Sequence, residues 1–81
     1  MMRVLLFGAL SDLAGWRERR IDPPPASLSA LRALLSDADQ ALGAALLGAG
    51  VQAAVDKEIA RGDAPLHPDA EVAFLPPMSG G

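Results

Sequence analysis

The chain's last two residues, Gly80-Gly81, offer a reactive group that no side chain in the sequence matches: an α-carboxylate on a thin, bare stem. Glycine is costly in backbone entropy and adds no packing, so a terminal pair stabilises nothing within a fold. Such a stem can instead thread a narrow channel into another protein's active site. Its carboxylate is ionised at neutral pH, with a pKa of about 3.3–3.7, and is a poor electrophile. Adenylation with ATP on a second enzyme would activate it. The acyl-adenylate could then accept sulfur to give a thiocarboxylate, or a lysine amine to give an isopeptide. A side chain at position 80 or 81 would obstruct either route.

The residues before the stem read as a recognition segment. Pro76-Pro77 hold φ near −65° and would project the tail away from the body. Extended proline-containing segments enter grooves at low entropic cost, and Met78 adapts to varied apolar surfaces. An uncovered Leu75-Pro76-Pro77-Met78 on a small acidic protein calls for a partner. Ser79 has no accompanying base and reads as a small, permissive tail residue.

Other constellations carry little. His67 is the only histidine and sits in a proline-flanked loop, so no catalytic triad can be built on it. Asp37 with Asp39, and Asp69 with Glu71, lack a metal-loop pattern and are expected to be solvated. Gly8, Gly15, Gly43, Gly48 and Gly50 do not form phosphate-loop spacing. The chain has no cysteine, which excludes disulfides, thiolate metal sites and cysteine nucleophiles.

Eighty-one residues allow one small domain, which buries only about 60% of its unfolded surface. A hydrophobic share of 51% supplies a core, built mostly from Leu, Ala and Val because the aromatics are only Phe7, Trp16 and Phe74. A net charge of −3, from 10 acidic and 7 basic residues, argues against nucleic acid and for a partner with a basic patch. The run Val4–Phe7 is too short for a signal segment or a membrane span. The expected location is the cytoplasm.

The elements that must position the tail can be read from periodicity and punctuation. Arg3 to Ala9 is a continuous apolar run that predicts a central strand. Ala9 to Ala14 predicts a helical turn closed by Gly15. Trp16 to Asp22 predicts a weak, charged edge strand, ended by Pro23-Pro24-Pro25. Ser27 is a candidate N-cap for a main helix with an apolar stripe of Leu28, Leu31, Leu34, Leu35 and Ala38. A second helical stretch is expected from Gln40 to Leu47. Val51 to Val55, a turn at Asp56-Lys57-Glu58, and Ile59-Ala60 predict a hairpin. Glu71 to Leu75 predicts a last central strand, adjacent and parallel to the first. The expected architecture is an α+β roll, one mixed sheet packed on one main helix. Residues 1–75 form the domain and residues 76–81 a flexible tail.

The segment Glu71–Gly81, with Phe74, Pro76-Pro77, Ser79 and Gly80-Gly81, closely resembles the ending of the small, sulfur-carrying subunit of molybdopterin synthase. That family, MoaD, lies within the ubiquitin-like MoaD/ThiS superfamily. The similarity extends to Val4–Phe7 with Leu13-Ala14-Gly15, to Ser29–Leu34, to Ala53–Asp56, and to Pro65-Leu66. The family commonly has Asn where this chain has Asp56, an Arg-Glu pair at Ser11-Asp12, and an Asp-Gly-Asp-Glu turn at Pro68–Glu71.

The resemblance implies a β-grasp, ubiquitin-like fold. It implies that Gly81 is adenylated by a MoeB-like, E1-like enzyme using ATP and then converted to a thiocarboxylate with sulfur from a sulfurtransferase. The charged tail would enter a MoaE-like large subunit, in a heterotetramer of two small and two large chains. There it would give sulfur to cyclic pyranopterin monophosphate, forming the dithiolene of molybdopterin. On this reading Phe74, Pro76, Pro77, Met78, Ser79 and Gly80 meet the partner. The chain is then a non-catalytic subunit with no cofactor, metal, nucleic acid or membrane of its own. Three alternatives stand beside it: the related ThiS-like carrier for the thiamine thiazole ring, a protein modifier joined to lysines, and a binding module whose Gly-Gly end is incidental.

Overall fold

Eight elements follow one another in the computed structural model, which describes residues 1–77. They are β1 (Met2–Leu6), α1 (Ala9–Ala14), β2 (Glu18–Ile21), α2 (Leu28–Ala38), α3 (Gln40–Leu46), β3 (Gln52–Val55), β4 (Glu58–Ala60) and β5 (Glu71–Leu75). The strands form one mixed sheet in the order β2-β1-β5-β3-β4. β5 is central, parallel to β1 on one side and antiparallel to β3 on the other. β2 forms an edge, as its charges predict.

Period-two burial defines the sheet's two faces. Met2, Val4 and Leu6 of β1, with Val72 and Phe74 of β5, enter the core. Arg3, Leu5, Glu71, Ala73 and Leu75 turn to the opposite face and are half-buried. The helices complete the core with Leu10, Leu28, Leu31, Leu35, Leu42 and Leu46. Among the described residues no buried side chain is polar or charged. No helix among them is long and apolar enough to cross a membrane.

Local chemistry sets the helix limits. β1 stops at Leu6 rather than Ala9, because Gly8, with φ 56°, turns the chain into α1. Gly15 closes α1 in the left-handed region, its N–H donating to the Ser11 carbonyl. Ser27 caps α2: its Oγ accepts the Ala30 N–H at 3.1 Å. Such a cap contributes about 1 kcal/mol. Asp39 then serves two helices, donating its N–H to the Leu35 carbonyl and accepting the Leu42 N–H on Oδ1 at 3.1 Å. The apolar stripe of α2 is narrower than expected. Leu28, Leu31 and Leu35 are buried, whereas Leu34 is 37% exposed and Ala38, in the last position, is also exposed.

The loop before β5 runs along the start of α2. Leu28 donates its N–H to Ala64, and Leu66 donates to Ala26. Asp63 accepts both the N–H (2.8 Å) and the hydroxyl (2.9 Å) of Ser29. These bonds hold its carboxyl below the usual range, the Ser29 N–H being the larger cause.

Candidate functional site: the two ends of the central strand

The C-terminal end of β5 runs from a core phenylalanine to two prolines packed beside glycines. Phe74 fills the core with no exposed surface, its carbonyl accepting the Phe7 N–H at 3.3 Å. The Arg32 guanidinium lies 5.8 Å from the centre of its ring. This corrects the expectation that Phe74 faces a partner: its side chain is enclosed, and its effect on the tail is to fix where the tail begins. Pro76 is half-buried and Pro77 exposed. Met78, Ser79, Gly80 and Gly81 lie outside the described residues.

Two glycines flank the exit. Gly8, after β1, lies against Pro76, and a Cβ there would stand 3.0 Å from Pro76 Cγ. Gly50, before β3, lies against Pro77, where a Cβ would come within 2.8 Å of Pro77 Cβ. Both have positive φ, 56° and 83°. The prolines therefore leave between two positions that favour glycine for both conformation and space. Sequence reasoning tested these glycines only for phosphate-loop spacing. Nothing local in the sequence marks them, because Pro76 and Pro77 come near them only through the sheet.

Around the exit lies apolar surface. The strand register places Leu5, Ala73, Ala54 and Ile59 in one row across four strands, on the face away from the core. Ile59 is 44% exposed, and Phe7, beyond the end of β1, is 47% exposed. An open cleft of about 860 Å³, lined by Phe7, Gly8, Ser11, Trp16 and Arg17 among others, adjoins the exit through Gly8. The Arg19 guanidinium stacks 4.5 Å from the Trp16 ring.

The N-terminal end of β5 is the opposite. Asp56, at the β3–β4 turn, accepts the Glu71 N–H on Oδ1 (3.0 Å) and shares a 2.8 Å hydrogen bond between Oδ2 and His67 Nε2. The Glu71 N–H, followed by the His67 bond, holds the Asp56 carboxyl below its ordinary value. The Asp69 N–H donates to His67 Nδ1 at 3.2 Å. The Met1 α-ammonium pairs with Asp69 and lowers that carboxyl in turn. Arg3 pairs with Glu71 across the β1–β5 register. His67 is exposed, as expected, but Asp69 and Glu71 are not merely solvated: each ties β5 or its approach to the first residues of the chain. Among the described residues no three His, Cys, Asp or Glu side chains converge as metal ligands.

Comparison with known proteins agrees with this geometry. SAMP1 from Haloferax volcanii superposes with a TM-score of 0.84 at 28% identity, over 99% of this chain and 98% of that one. A second crystal structure, of H. volcanii small archaeal modifier protein 1, gives a TM-score of 0.76 at 24% identity, over 95% and 97% of the two chains. No curated protein is similar enough in sequence to match. The fold is the ubiquitin-like β-grasp, and the model of the ThiS family matches residues 4–81. The chain belongs to the ThiS family.

Proposed function

We propose that this chain is the small, sulfur-carrying subunit of molybdopterin synthase, a MoaD-type member of its superfamily. The observation that carries the reading is the exit at the end of β5. A buried Phe74 roots the segment, two glycines line the way out, and the sequence beyond is Pro-Pro-Met-Ser-Gly-Gly. The apolar row Leu5–Ala73–Ala54–Ile59 and the exposed Phe7 give a large subunit a surface to seat against while the tail enters its active site.

In this scheme the chain acts in the cytoplasm and catalyses nothing alone. A MoeB-like enzyme joins the Gly81 carboxylate to AMP, with pyrophosphate leaving ATP. Sulfur from a sulfurtransferase then displaces AMP to give the thiocarboxylate. The MoaE-like subunit, two of each chain per assembly, supplies the catalytic side chains for transfer to cyclic pyranopterin monophosphate.

Intact mass after incubation with a MoeB-like enzyme, ATP and a sulfur donor tests the carrier chemistry. Exchange of one oxygen for sulfur at Gly81 is the expected result. An unchanged mass, under conditions that charge a control carrier, overturns it. Charged protein that fails to make molybdopterin with a large subunit and pyranopterin counts against this reading and leaves the thiazole route open. A second reading, a protein modifier, is favoured by the likeness to SAMP1; lysine conjugates in lysate would support it.

A further inference from the structure

β2 ends the sheet on one side, and among the described residues nothing pairs with its outer edge. Leu6 donates its N–H to the Arg17 carbonyl at 2.9 Å, and the antiparallel register runs on through Val4↔Arg19 and Met2↔Ile21. An antiparallel ladder alternates, so Arg17, Arg19 and Ile21 turn their backbone groups to β1, whereas Glu18 and Arg20 turn theirs outward. Both of these residues are exposed. The other edge of the sheet, β4, is three residues long and carries Glu58 and the exposed Ile59.

Charge sets the β2 edge apart. The chain is −3 overall, yet Arg3, Arg17, Arg19 and Arg20, four of its seven cations, stand on β1, on β2 or just before β2. Arg3 is engaged by Glu71 and, at 3.6 Å, by Glu18, the one acid of β2. Asp22 follows the strand, and Asp12 lies across the cleft at its start. Arg17, Arg19 and Arg20 make no ion pair among the described residues. Arg19 is already placed over the half-buried Trp16 ring, so less freedom is lost when a carboxylate meets it.

Edge charges guard against self-pairing, and these do: a second copy would bring three arginines against three. They favour an incoming strand of opposite sign. The backbone selects its chemical class, because alternating outward N–H and C=O groups match another extended polypeptide and not a nucleic acid. The cleft bordered by Phe7, Trp16 and Arg17 opens at the start of β2 and has room for a large apolar side chain.

We infer that the edge of β2 receives an extended acidic segment of another protein, which adds to the five-stranded sheet as a further strand. Arg19 and Arg20 project to opposite faces, so two successive carboxylates of the segment reach one each. An apolar residue of the same segment enters the cleft beside Trp16.

The probe is a fluorescent, end-blocked peptide, Leu-Thr-Val-Thr-Asp-Glu-Asp-Thr, titrated into the full chain. Anisotropy reads binding, and NMR reads amide hydrogen exchange. The expected result is binding that weakens with salt, together with slowed exchange at the Glu18 and Arg20 amides. Arg19→Gln combined with Arg20→Gln should weaken binding about tenfold at an unchanged melting temperature. The same peptide N-methylated at every second residue, in either phase, keeps its charge. In one phase it loses the donors of the ladder and should bind wild type at least about tenfold more weakly. That comparison decides the matter even where the double variant does not fold. Absence of binding overturns the inference. Equal binding of both N-methylated peptides reduces it to charge attraction and overturns it too. Displacement of the peptide by an equal concentration of oligothymidylate would make the edge a general polyanion surface. A wild-type dimer in sedimentation, with those two amides protected before peptide is added, would give the edge to a second copy. Either of these last results also overturns it.

Discussion

The two ends of β5 are made by opposite means. At its start, hydrogen bonds and ion pairs link Glu71 to Asp56 and Arg3, Asp56 to His67, His67 to Asp69, and Asp69 to the Met1 amine. At its finish, two glycines stand beside Pro76 and Pro77, and the nearest side chains are apolar. The polar end fixes the strand's register; the bare end leaves the tail's approach unobstructed. Strength and access are separated along one strand, with Phe74 between them.

Removing Gly81 attacks the bare end alone and has the largest expected effect. Sulfur transfer is lost, while the melting temperature stays within about 2–4 °C of wild type, since surface changes outside packed features are usually within ±0.5 kcal/mol and 1 kcal/mol moves the midpoint of a domain this small by about 4–8 °C. A large drop in melting temperature would erase the division between the two ends. Phe74→Ala attacks the point between them and is expected to destabilise by about 3–5 kcal/mol in denaturant unfolding. A loss under about 1 kcal/mol would mean the ring does not root the tail.

Gly50→Ala places a methyl group against Pro77 in a left-handed backbone position. The expected cost is about 1–2 kcal/mol, with slower charging of Gly81 by the adenylating enzyme. Unaltered charging would show that the exit tolerates a narrower passage. The smallest effect belongs to the polar end. Asp56 has a lowered pKa in the fold, so it binds its proton more readily unfolded. Its contribution is complete above the ordinary carboxylate value and is lost as pH falls from about 4 through the lowered value. Asp56→Asn should therefore lower stability modestly at neutral pH, where that contribution is complete, and flatten the acid limb so that variant and wild type converge at low pH. An unchanged acid limb would show that this cluster does not anchor the strand.

Much of this was legible in the residues. The apolar runs around Val4 and Phe74 gave two central strands, but not their sidedness: each buries only alternate residues, and the second face stays half-buried because no helix covers it. Ser27 was readable as a cap because it precedes a helical period directly. Leu34 was misread because it lies about a quarter-turn from the centre of the buried stripe, a margin that only the packed sheet decides. Pairs such as Met1–Asp69 and Arg3–Glu71, each 68 residues apart, left no local signature. The flanking glycines were equally silent, since their neighbours are prolines brought near by the sheet.

The placement of β5 has a consequence for mechanical load. Hydrogen-bonded ladders run along both its sides, to β1 and β3. A pull on the C-terminus directed along the strand loads both ladders in shear, so their bonds must yield together. Edge strands peeled sideways would give way one bond at a time. A pull applied beyond Leu75 is therefore resisted by the whole sheet as one body.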